Sequence, residues 1–174
     1  MIRSVVFGVL FGASLMMAAG EFSNRRAPGF ALPDPEYKRY YDLQDYRGKV
    51  VLIDIMSTQC PHCQLLSSTL EEIKAHYGDK IAILEVVLPP DNQSTIAKYI
   101  ATHKVTVPVV CDMGQMTASY FKANPATMQK IDVPHLFLID QQGMIRNDFS
   151  YDDAFSHPVF EGPGLIKEID KLLK

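Results

Sequence analysis

The sequence predicts an α/β fold: a three-layer α/β/α sandwich around a mixed central sheet, with an N-terminal strand extension. Three observations lead there. Val50 to Ile55 and Ile81 to Leu88 are nearly continuous apolar runs, which fit strands covered on both faces. Between them Leu66, Leu70, Ile73 and Tyr77 recur at helical spacing, so a crossover helix joins two parallel strands. Near the C-terminus Leu136 to Ile139, the turn Asp140 to Gly143 and Met144 to Ser150 read as a hairpin, which adds an antiparallel edge.

The chain begins with an address. Arg3 is the only charge before Glu21, and the stretch Ser4 to Gly20 is apolar and ends in Ala18-Ala19-Gly20. A positive start, an apolar middle and small residues before a polar segment describe a secretory signal, with cleavage expected after Gly20. The alternative is an uncleaved membrane tether, for which the stretch sits at the short end of bilayer-spanning lengths. Either way the folded part is expected outside the cytoplasmic membrane, periplasmic or secreted, where disulfide chemistry persists. The expected division is residues 1–20 signal or anchor, 21–27 tether and 28–174 the folded domain.

Pro28, Pro33 and Pro35 break any early helix, while Ala31-Leu32 and the Tyr-rich run Tyr37 to Tyr41 suggest a short strand pair. Leu43 to Arg47 reads as one helical turn closed by Gly48. After the first buried strand, the long helix stops at Gly78. Pro89-Pro90 ends the second strand, and Asp91 or Ser94 is the expected cap of a helix carrying Ile96, Tyr99 and Ile100. Val107 to Cys111 is a short strand and Met116 to Phe121 a short helix. Leu165, Ile166, Ile169, Leu172 and Leu173 form a last amphipathic helix, with Pro163 tolerated in its first turn.

Composition excludes several classes. With 17 basic and 20 acidic residues the formal charge is -3, which leaves no electrostatic footprint for nucleic acid. The five His do not cluster and no paired Cys/His zinc pattern appears, so neither a metal nor another cofactor is expected. Three Cys are too few for a disulfide-stapled scaffold.

The chemistry lies in Cys60-Pro61-His62-Cys63, just after the first buried strand and at the start of the long helix. Helix starts carry unpaired N–H groups and a positive dipole end, which stabilise a thiolate, so Cys60 is the expected nucleophile with a depressed pKa. Pro61 suits the first helical position because its missing N–H costs nothing there. Cys63 falls one turn on and inward, within reach for closing a disulfide ring. Thiol–disulfide exchange needs both an attacking thiolate and a second thiol that resolves the mixed disulfide. The other readings are weaker: a zinc half-site lacks its second ligand pair, and a structural disulfide over so short a loop stabilises little.

These residues carry a resemblance. Ala27 to Leu32, Leu43 to Leu52, Cys60 to Cys63 and Val133-Pro134 ahead of Leu136 to Asp140 resemble the thioredoxin superfamily, most closely its TlpA-like secreted or membrane-tethered redoxins. The resemblance covers residues 27 to about 145. It implies a thioredoxin-like fold and an oxidoreductase that uses the Cys60–Cys63 disulfide on protein thiols or disulfides, with an unidentified redox partner protein. It also implies that Pro134 is cis and faces the cysteines, that Val133 offers its backbone to a bound peptide, and that Asp54 helps move the proton of Cys63. Two departures stand out: Gln59 replaces the family's usual Trp, and Leu66 stands where cytochrome-c-maturation members carry an acid. Two alternatives to protein thiol exchange remain, a reductase serving cytochrome c maturation and a thiol-dependent peroxidase. The segment Asp54 to Cys60 lacks the proline of the peroxidase signature. Pro61-His62 is also the dipeptide of DsbA-type oxidants. His62 beside Cys60, through positive charge when protonated or a hydrogen bond to the sulfur when neutral, would stabilise the thiolate and make the couple more oxidising than thioredoxin's roughly -270 mV. Cys111 is expected to be a buried packing residue, Asp152, Asp153 and His157 a solvated loop, and Glu85, acidic within a buried strand, receives no role.

Overall fold

The computed structural model describes residues 20–124, 126, 131–154 and 156–174. The signal or anchor at residues 1–19 lies outside the described residues, and no described helix is long and apolar enough to cross a membrane.

The sheet is mixed, as the alternation of apolar runs predicts. Strand β1 (Arg25–Arg26) is followed by a separate two-stranded ribbon, β2 (Ala31–Pro33) and β3 (Tyr40–Asp42). A single helical turn, Leu43–Tyr46, leads through Gly48 at φ +83° into β4 (Val50–Met56). Helix α1 (Pro61–Tyr77) crosses to β5 (Ile81–Val87), and α2 (Gln93–His103) crosses to β6 (Val109–Cys111). After α3 (Gln115–Tyr120), β7 (His135–Ile139) and β8 (Met144–Ser150) form the hairpin, and α4 (His157–Phe160) and α5 (Pro163–Leu172) close the chain. The six-stranded order is β1-β8-β7-β4-β5-β6, with β4, β5 and β6 parallel and the others antiparallel.

Alternation along β4 and β5 divides the interior into two layers. Val50, Leu52 and Met56 of β4, with Ile81, Ile83 and Val87 of β5, face α1, α2 and α5 through Leu66, Leu70, Ile96, Tyr99 and Ile169. Val51, Ile53, Ile55, Leu84 and Val86 face the other way, onto Met116, Tyr120 and the N-terminal ribbon. The even-numbered face of β4 therefore carries Asp54 into the α1 layer, where an apolar residue would be expected.

Some local details differ from the sequence reading. The α2 cap is Asn92, whose side chain accepts from Ser94 N and Thr95 N in a reciprocal box with Thr95, so neither Asp91 nor Ser94 fills that role. Strand β6 starts at Val109 rather than Val107. The segment read as a tether contributes β1, because Asp148 Oδ1 accepts from Phe22 N (3.0 Å) and Ser23 Oγ (2.7 Å) and lays Arg25–Arg26 beside β8. Two arginines carry no hydrophobic period, so this edge strand has no sequence signal. Asp152 and Asp153 lie exposed in a turn as expected, whereas His157, also exposed, opens α4, and Asp153 accepts a hydrogen bond from Ser156.

Candidate active site

Helix α1 begins where β4 ends, so its first turn lies at the C-terminal edge of the sheet. Cys60 is the N-cap, in extended geometry, and its Sγ accepts from Cys63 N at 3.3 Å. Pro61 occupies the first turn, where its absent N–H leaves no bond unmade. Cys60 is half-buried and Cys63 fully buried, and both are free thiols.

The loop before Cys60 is braced. Asp91, just past β5, accepts from Thr58 N at 2.9 Å, from the Thr58 hydroxyl, and from Thr95 Oγ1 at 2.9 Å. Gln64 of α1 donates to Thr58 O at 2.8 Å. These contacts fix the entry to the helix and hold the Cys60 sulfur at the sheet edge. Opposite it lies the Val133–Pro134 peptide, which is cis, and the Cys60 thiol reaches Val133 O at 3.6 Å. Pro134 O in turn accepts from Tyr151 N at 3.3 Å.

His62 lies beside the site, next to Cys63 in the first turn of α1. Its ring stacks on Tyr151, centroids 4.2 Å apart, and Tyr151 stacks on His157 at 4.9 Å. The His157 ring meets Tyr151 O at 2.9 Å, fixing the far side of the stack. The bond that Cys60 Sγ accepts comes from Cys63 N. Tyr151 offers its face to the His62 ring. A cleft of about 240 Å³ opens on this stack, edged by the exposed Leu65.

Beneath Cys60 lies an acidic interior. Asp54 and Cys63 are both fully buried. Burial pushes the Cys63 thiol far up, and the neighbouring acid Asp54 adds to the rise. Burial also raises the Asp54 carboxyl well above the usual range, with Glu85 adding to the rise, and neither Asp54 oxygen finds a hydrogen-bond partner. Glu85 is the register partner of Asp54 on β5 and is buried as completely; desolvation pushes it up to about 7, against hydrogen bonds that favour its charged form. Tyr99 of α2 donates to the Glu85 carboxyl, 3.1–3.2 Å from its two oxygens.

The structure thus brings Cys60, Pro61, Cys63, Asp54, Val133 and Pro134 together, with the His62 ring beside them on Tyr151. Sequence reasoning missed Asp91, Tyr99, Tyr151 and the placement of Glu85. Only Glu85 left a trace there, as an acid in an apolar strand. Cys111, expected to be buried, is half-buried at the end of β6, its thiol raised by partial burial and by Asp34 and Asp91.

The three thiols are expected to alkylate in the order Cys60, Cys111, Cys63 when the reduced protein is treated with iodoacetamide near pH 7. Burial and a strongly raised pKa both protect Cys63, whereas the helix cap presents Cys60. Peptide mass mapping over time checks this, and early modification of Cys63 would contradict the geometry.

Comparison with known proteins agrees with the site. The chain is 25% identical over 125 residues to thioredoxin-like protein YneN of Bacillus subtilis (strain 168), covering 71% of this chain and 68% of that one. It is 23% identical over 151 residues to thiol-disulfide oxidoreductase ResA of Bacillus thuringiensis (strain Al Hakam), covering 82% and 83%. Its fold matches the solution structure of a putative protein disulfide isomerase from Bacteroides thetaiotaomicron with a TM-score of 0.69 at 19% identity, over 90% of this chain and 94% of that one. The protein is a thiol–disulfide oxidoreductase with a thioredoxin-like fold. Residues 24–148 match the AhpC/TSA family model, and with most of its length inside that match the chain belongs to the AhpC/TSA family.

Proposed function

We propose that this enzyme exchanges its Cys60–Cys63 couple with cysteines of other proteins outside the cytoplasmic membrane. The observation that carries the reading is the asymmetry of the pair: Cys60 caps α1 at the sheet edge, and Cys63 lies fully buried one turn below. In the reducing direction the Cys60 thiolate attacks a substrate disulfide, and one substrate sulfur leaves with the bonding pair and takes a proton from water. Cys63 then attacks Cys60 Sγ, the mixed disulfide breaks, and the second substrate thiol leaves. Two enzyme thiols become one disulfide and one substrate disulfide becomes two thiols.

Val133 supports a protein substrate. Its carbonyl already meets the Cys60 thiol, and an extended peptide running past Cys60 would pair with that backbone. Asp54 serves the resolving step by drawing the proton from Cys63, whose own pKa is too high for spontaneous ionisation near neutrality. The extracytoplasmic setting rests on the N-terminal signal-like residues, and the partner that resets the couple is a second redox protein.

Cys63→Ser should accumulate a mixed disulfide through Cys60 when mixed with an unfolded, oxidised substrate protein such as insulin, while the parent turns it over. Release of the substrate from Cys63→Ser at the parent's rate, or turnover of hydrogen peroxide in preference to insulin by the parent, would overturn this reading.

His62 bears on direction. With its ring held on Tyr151, it leaves the potential to the helix cap and the buried layer. His62→Phe, which keeps the stack, should move the potential by less than about 30 mV in glutathione equilibration. A fall well beyond that would restore the electrostatic role expected from the sequence.

A further inference from the structure

Glu85 is a buried acid of the site that the exchange chemistry leaves unused. It and Asp54 stand side by side on parallel β5 and β4, both on the face covered by α1, both fully buried. Adjacent strands lie about 4.8 Å apart, so the two carboxyls share one small region. The groups around Glu85 are neutral or acidic on every side. Asp54 comes from β4, Ser67 and Glu71 from α1 and Tyr99 from α2, while its β6 register partner is the apolar Val109. Two carboxylates in such a place cannot both ionise, because like charges repel strongly where water is excluded.

Their hydrogen bonding decides which one keeps the proton. Both Asp54 oxygens are unpartnered, and an ionised carboxylate without a single donor is the costlier state. Glu85 receives the Tyr99 hydroxyl, a donor that supports its charged form. We propose that the resting negative charge sits on Glu85, that Asp54 is the protonated relay between it and the Cys63 thiol, and that Glu85 is the final acceptor of the Cys63 proton. The inference deepens the exchange reading above and rests on it.

The step balances. Asp54 passes its proton to Glu85 and takes the Cys63 proton, and the Cys63 sulfur attacks Cys60 Sγ. The Cys60–substrate bond breaks, and its electron pair leaves on the substrate sulfur, which is protonated by water. Asp54 hydrogen-bonds to neither neighbour at rest. The relay therefore includes a rotation of its carboxyl between the thiol and Glu85. Glu85 acts through Asp54 and is a positioning residue for the proton; it touches no substrate.

The test uses the full chain with Cys111→Ser, reduced and mixed with an aromatic disulfide whose released thiolate absorbs visible light. The first equivalent released reports attack by Cys60 and the second reports resolution by Cys63. In the parent the second phase should accelerate with a midpoint near the Glu85 value of about 7. Glu85→Gln should slow the second phase roughly 10²-fold near pH 7 and abolish that midpoint, leaving the first phase unchanged. Tyr99→Phe keeps both carboxyls and removes only the donor, so the same midpoint should move to higher pH. In infrared spectra near pH 8 the protonated-carboxyl band should vanish in Asp54→Asn and persist in Glu85→Gln. Unaltered second-phase pH profiles in Glu85→Gln and Tyr99→Phe, or a band that vanishes with Glu85→Gln and persists in Asp54→Asn, would overturn the proposal. A parent that releases no second equivalent would instead overturn the exchange reading beneath it.

Discussion

The site depends on the exclusion of water from the layer between α1 and the face of β4 and β5. Leu66, Leu70 and Ile73 of α1 close onto Leu52, Met56, Ile83 and Val87, and all are buried. That closure holds the helix in place, so Cys60 caps it at the sheet edge and Cys63 is carried underneath. The same dry layer encloses Asp54 and Glu85, whose charged forms it disfavours by several kcal/mol each before any compensation. An apolar pair there would pack at no electrostatic cost. The retention of two acids where leucines would stabilise is a local conflict between stability and proton chemistry, of the kind expected at functional sites.

Reactivity is divided by depth. At the surface the Cys63 N–H bonds the Cys60 sulfur, and Asp91 holds Thr58 and Thr95 so that the loop cannot drift. One turn below, a thiol with a strongly raised pKa needs a base that works without water. The stack of His62, Tyr151 and His157 shapes the outer rim next to Leu65 and leaves the proton path to the interior.

Much of this was legible in the sequence, for identifiable reasons. The β4 and β5 runs and the α1 period are strong because burial on both faces demands them. Cys60 and Cys63 declare themselves because spacing and helix start coincide. Asp54 was found through resemblance. The role of Glu85 was hidden because its meaning lies in register: residues 31 positions apart become neighbours only when β5 aligns on β4. Asp91 resembled a helix cap, a role that Asn92 fills next to it, and its true contact with Thr58 spans the loop after β5. The packing of His62 was hidden because a dipeptide does not encode what its ring stacks on, and Tyr151 lies 89 residues away in sequence.

The central claim is that the buried acids carry a charge the fold would rather not hold. Both have folded pKa values raised above the unfolded ones, so they stabilise the protein fully below about pH 4 and lose that contribution as pH rises through the folded value. The most direct test is urea unfolding of the reduced protein from pH 4.5 to 8, parent against the Asp54→Asn, Glu85→Gln double variant. For Glu85, a rise from 4.5 to about 7 corresponds to on the order of 3 kcal/mol. The parent should lose stability by that order relative to the double variant as pH rises through about 7. Parallel stability curves across the range would show that neither carboxyl is held in a perturbed state, and would contradict the account.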